Sequence, residues 1–163
     1  MKYFLSILFI GLALKSQGQT QKDFNSYGKL VFEKLITPED FNTVDLMWVS
    51  RYRDFLKSQD FESEDRTERE LHRMDHGYEK LYLKYQESVN RIKSFYNKAL
   101  QDGAQVEYLE TFFTPLDRYK DLYAVDMSFV YTTYNIQNEV HITFEVVWYM
   151  DFFWLITPFK EKF

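Results

Sequence analysis

The apolar period of this chain changes once, near Gly103, from the three-to-four spacing of helices to the two-residue alternation of strands. Helices followed by strands, rather than the two interleaved, predict segregated layers: an α+β fold whose helices cover one face of an antiparallel sheet. From Phe24, the apolar positions Tyr27, Val31 and Leu35 suit a short amphipathic helix. A second helix is expected from Thr37-Pro38-Glu39-Asp40. Thr37 suits the cap, Pro38 the first turn and the acids the positive end of the dipole. Phe41, Val44, Trp48, Tyr52 and Phe55 would then share its core face.

The third helix is the longest element. Thr67 with Glu70 reads as a capping box, and Leu71, Met74, Tyr78, Leu81, Tyr85, Ile92, Phe95 and Ala99 repeat at helical spacing until Gly103. From Glu68 to Asp102 it would extend roughly 50 Å, more than the ~30 Å width of a small domain. It must overhang, bend or pair. Gly77 is the expected place for a bend, being about 1 kcal/mol poorer than alanine in a helix. Pairing of the stripe through Tyr85 and Ile92 would give a homodimer, although Ser88 at a core position weakens the heptad.

Past Asp121 the period is two. Tyr123, Val125, Met127, Phe129 and Tyr131 lie on one face, with Ala124, Asp126, Ser128 and Thr132 on the other. After a turn at Asn135-Ile136-Gln137-Asn138, Val140, Ile142, Phe144, Val146, Trp148 and Met150 point inward while Glu139, His141, Thr143 and Glu145 point outward. Val106 to Phe113 gives a first strand and Trp154-Leu155-Ile156 a closing one, after a tight turn near Asp151. The expected architecture is therefore N-terminal helices, with one long helix packed on a C-terminal antiparallel sheet of three to four strands.

Before these elements stand Met1-Lys2, an apolar run from Tyr3 to Leu14, and Lys15-Ser16-Gln17-Gly18, the layout of a cleaved secretory signal peptide. Twelve apolar residues fall short of the roughly 20 that span a bilayer. The domain expectation is a signal peptide over 1–18 and a single α+β domain over 19–163, helical over 22–102 and a β-meander over 104–158. The protein is expected to be exported, periplasmic or secreted. With no cysteine in the chain there is no disulfide, thiol nucleophile or acylated anchor after cleavage. Losing Lys2 and Lys15 leaves 18 basic against 25 acidic residues, a net charge of −7. That balance disfavours nucleic acid and anionic membrane as partners.

A signal peptide, a long helix and a meander closing on Trp154-Leu155-Ile156 resemble the small exported domains of the cystatin-like and NTF2-like superfold, over roughly Glu68 to Phe163. Asp151-Phe152-Phe153 stands where those families usually carry Asn or Gly before the tryptophan. The resemblance implies a ligand-binding or accessory module without a catalytic centre, and no functional residue carries over by motif.

Two clusters stand out as candidate chemistry. His72, His76 and Glu79 fall at i, i+4 and i+7 of the long helix, so one face can offer two imidazoles and a carboxylate to zinc. The core stripe of Leu71, Met74 and Tyr78 turns those histidines toward solvent. The segment from Val106 to Phe163 holds sixteen aromatic residues, and Trp148, Tyr149, Phe152, Phe153 and Trp154 crowd one hairpin turn, which points to a pocket or partner surface. Glu139, His141, Glu145 and Asp126 gather on the outward sheet face, where proton transfer would require partial burial. The functional expectation is a non-catalytic accessory or binding protein that uses the aromatic sheet and long helix to hold an apolar ligand or protein partner, with no cofactor. The alternatives are a helix-mediated homodimeric interaction protein and a metal-dependent enzyme at His72, His76 and Glu79.

Overall fold

The computed structural model describes residues 23–37, 46–59 and 64–162. The leader-like segment 1–18 and the stretch from Pro38 to Val44 lie outside them. The described elements are helices α1 (Phe24–Ile36), α2 (Val49–Ser58) and α3 (Glu64–Gln101), followed by strands β1 (Gln105–Pro115), β2 (Leu122–Thr133), β3 (Ile136–Tyr149), β4 (Phe152–Leu155) and β5 (Lys160–Lys162). Long helix followed by antiparallel sheet is the expected α+β layout.

Asp23 caps α1 by accepting from the Ser26 amide at 3.0 Å. Val31, Phe32, Leu35 and Ile36 are buried. Gly28 meets β1 so closely that a Cβ there would lie 2.3 Å from Thr111 Oγ1, so only glycine permits this approach. Thr37 is the C-cap of α1, its amide donating to Glu33 O at 2.9 Å, and the helix expected to follow it from Pro38 falls on residues outside the described ones. Where the description resumes, at Leu46, the chain lies on the sheet edge just ahead of α2. Leu46 bridges Leu155 in parallel, and Met47 N–H donates to Leu155 O at 3.5 Å. Trp48, expected in the core, is consequently the N-cap of α2 and is 46% exposed.

Helix α3 starts earlier than expected, which places Thr67 within it, and its 38 residues span about 57 Å. Its C-terminal half lies on the sheet with Tyr85, Val89, Ile92, Tyr96 and Ala99 buried. Its N-terminal half packs Leu71 and Met74 against α2, where Arg53 pairs with Asp75. The stripe is thus satisfied within the chain, and Tyr85 and Ile92 offer nothing to a second copy. Phe95 drifts off the stripe and is half exposed. The helix runs unbroken through Gly77, where a Cβ would meet nothing within 4 Å. Gly77→Ala is therefore expected to stabilise the fold by about 1 kcal/mol in urea unfolding.

Ser88, the polar residue in the stripe, has a packing role. Its hydroxyl donates to Tyr85 O at 2.7 Å and accepts the Phe159 amide at 3.3 Å, tying the β4–β5 connection to α3. Ser88→Ala removes that hydrogen bond between α3 and the β4–β5 connection, and a loss of about 1 kcal/mol is expected by chemical denaturation.

The sheet order is β1-β2-β3-β4, with β5 also on β3 beyond β4. All these pairs are antiparallel. Two hairpins close through two-residue turns with positive φ at both positions, Tyr134-Asn135 and Met150-Asp151. That is the primed geometry whose twist matches the strands. The first turn is shorter than expected, so Ile136 already belongs to β3. Met150, expected inward, sits exposed in the second turn. The closing strand ends at Leu155, and β5 reaches past the expected limit of the meander at 158.

Two cores result. The inner face of the sheet packs Val125, Met127, Phe129, Val140, Ile142 and Phe144 against α1 and α3. At the Leu122–Tyr149 end, α2 covers part of the outer face with Tyr52, Phe55 and Leu56 over Leu122, Val147 and Trp154.

Candidate functional site

The aromatic cluster is divided between these two cores. Strand pairing sets Trp148 opposite Phe153 and Tyr149 opposite Phe152, and alternation sends the two pairs to opposite faces. Phe153 lies inward, its ring centroid 4.7 Å from those of Tyr27 and Trp148 and 5.3–5.6 Å from Phe24 and Phe113. Trp154 is buried under α2, with the Arg51 guanidinium 4.9 Å over its ring and its Nε1–H donating to Tyr149 O at 2.8 Å. Only Phe152 is widely exposed, at 63%. The cluster forms core rather than a continuous surface.

His72 and His76 are exposed on α3 as the stripe dictates. Their rings stack 4.1 Å apart, and His76 Nδ1 lies 2.9 Å from His72 O, which ties that nitrogen to the helix backbone. Glu79 is exposed one turn on. Among the described residues no group of three or more His, Asp or Glu side chains is placed to hold a metal ion.

On the outer face the structure does gather the expected acids around His141. Its Nδ1 is 2.8 Å from Asp126 Oδ1 and its Nε2 3.3 Å from Glu139 Oε1, while Glu145 pairs with Arg118. Asp126, Glu139 and His141 keep roughly half of their side-chain surface in water. Both ring nitrogens are engaged by neighbouring carboxylates.

A further site was not singled out by pattern. The middle of α3, the start of α2 and the β4–β5 connection enclose an apolar pocket of about 20 Å³, lined among others by Met47, Met74, Tyr78, Leu81, Leu155 and Pro158. The hydroxyl of Tyr78 is buried at this wall without a hydrogen-bond partner. Burial pushes its phenol above the ordinary value, with Tyr82 adding a smaller push. A hydroxyl kept from water and left unpaired costs about 1–3 kcal/mol. The space holds about one water or the tip of a larger molecule. Met47 and Met74, unbranched and polarisable, are the walls that can yield. The only trace in the sequence is a tyrosine within the helical stripe, which reads as core until the hydroxyl's surroundings are known.

Scans of this chain against protein-family models, curated proteins and solved structures return no match.

Proposed function

We propose that this protein is a non-catalytic binding module that takes an apolar molecule bearing one hydrogen-bond acceptor into the pocket between α3, α2 and the β4–β5 connection. The observation that carries the reading is the buried Tyr78 hydroxyl without a partner, at the wall of an otherwise apolar pocket. An acceptor placed there gives the Tyr78 hydroxyl a hydrogen bond inside an otherwise apolar site, while the apolar body gains from leaving water. At about 20 Å³ the space takes only the acceptor-bearing end of the molecule as it stands, and Met47 and Met74 would have to yield for more of the apolar body to enter.

The helix-on-meander layout supports kinship with the cystatin-like and NTF2-like modules as part of this proposal. The leader-like Met1–Gly18 segment supports an exported location, and among the described residues no helix is long and apolar enough to cross a membrane.

The test is a pair of ligands and a pair of chains. 2-Nonanone carries the acceptor and nonane does not. Wild-type protein is expected to melt at higher temperature with the ketone, and to bind it more tightly than the alkane. Tyr78→Phe removes the unpaired hydroxyl, so the free variant should be at least as stable as wild type while binding the ketone about fivefold more weakly, the equivalent of about 1 kcal/mol. A ketone that leaves the wild-type melting temperature unmoved, or that binds Tyr78→Phe equally well, would end the reading.

A further inference from the structure

The face of α3 turned away from the pocket carries two histidines one helical turn apart. Leu71, Met74 and Tyr78 point inward, to α2 and to the pocket wall. His72 and His76, four residues apart, therefore come together on the exposed side of the helix.

Their ring centroids lie 4.1 Å apart, with the planes 23° from parallel. His76 Nδ1 is 2.9 Å from His72 O. A carbonyl oxygen only accepts, so Nδ1 carries the proton of this bond, and in the neutral ring the lone pair stays on Nε2. Metal-ligating histidines are held in the same way: the ring nitrogen that is not a ligand donates to a backbone carbonyl, which fixes the tautomer and aims the other nitrogen. Among the described residues no other hydrogen bond or ion pair engages either ring. The helix thus presents His76 as a ligand already set, with His72 beside it and able to turn.

The donor set selects the ion. Zinc sites take three or four protein ligands in tetrahedral array, and among the described residues no third His, Asp or Glu is placed to join the pair. Two imidazole nitrogens with water on the open side are a mixed nitrogen and oxygen set, which suits tetragonal coordination, and among divalent ions Cu(II) binds such donors most tightly.

We infer that His72 and His76 form a two-nitrogen clamp for Cu(II), with water in the remaining positions. Rings this close to parallel must splay for both lone pairs to meet one ion. His72 supplies that movement, because exposed side chains change rotamer within nanoseconds. Once one ring holds the ion, capture by the other is intramolecular, so the pair binds far more tightly than either histidine alone. The site is independent of the pocket, which lies on the opposite side of the same helix.

The probe is Cu(II) alone, titrated into the full chain without a histidine tag. One ion per chain is expected, and electron paramagnetic resonance of the complex should show coupling to two nitrogens. His72→Gln and His76→Gln alter exposed helix positions and should keep the circular dichroism of wild type. Each should weaken Cu(II) binding at least about tenfold. His141 is the third histidine of the chain, and its ring is already engaged by Asp126 and Glu139. His141→Gln should leave the affinity unchanged. Absence of saturable binding, equal affinity in either single variant of the pair, coupling to one nitrogen only, or binding abolished by His141→Gln would each overturn the inference.

Discussion

Ile92→Asp is expected to unfold this protein rather than to separate two copies of it. Ile92 is fully buried between α3 and the sheet, within the stripe that includes Tyr85, Val89 and Tyr96. Removing a buried isoleucine side chain alone costs about 2–5 kcal/mol. An uncompensated carboxylate in the same place adds several more, and a domain of this size has only about 5–15 kcal/mol to lose. Circular dichroism should show loss of the cooperative melt. Leu83→Asp, on the opposite and exposed side of α3, should keep it. A folded, monomeric Ile92→Asp chain derived from a dimeric wild type would mean that the stripe joins two molecules.

Phe153→Ala is expected to cost about 3–5 kcal/mol, while its neighbour Phe152→Ala should stay within about 0.5 kcal/mol of wild type. The two residues are adjacent in sequence and share one short strand, but the pleat sends them to opposite faces. Phe153 sits among Phe24, Tyr27, Phe113, Tyr123 and Trp148, with ring centroids 4.7–6.4 Å away. Phe152 touches the edge of Trp154 and otherwise faces water. Urea midpoints of the two variants measure the difference. Equal, small effects would restore the hairpin aromatics to the status of a surface.

What was legible in the sequence was whatever periodicity dictates. The alternation from Tyr123 to Phe144 fixed which residues face the helices, and Asp126, Glu139, His141 and Glu145 emerged together on the outer face as that alternation requires. The stripe of α3 was legible for the same reason, except at Phe95, where the 3.6-residue period drifts and Tyr96 takes the inward place. Boundaries were less legible. Trp48 fits a helical face by spacing, yet the backbone bond of Met47 to Leu155 holds this stretch extended until Val49. Composition alone did not show that Tyr134-Asn135 would adopt positive φ without glycine, and so the shorter turn and the early start of β3 were missed.

The candidate site was the least legible part. An aromatic cluster reads alike whether it is core or surface, because what decides is the tertiary packing of α1 and α2 on the two faces of the hairpin. Tyr78 reads as one more member of a stripe. Its interest comes from the absence of a partner within reach among the described residues, which depends on how α2 and the β4–β5 connection close over it.

The central claim is that the pocket beside Tyr78 receives an apolar molecule with an acceptor. Native mass spectrometry of the chain purified from its own source tests it most directly, in parallel with a Leu81→Trp variant whose bulkier side chain fills the pocket. The account predicts a non-covalent adduct on the wild-type chain that is extracted by organic solvent and missing from a folded Leu81→Trp chain. A wild-type chain at its bare mass, or an adduct that persists unchanged in the filled-pocket variant, would contradict it.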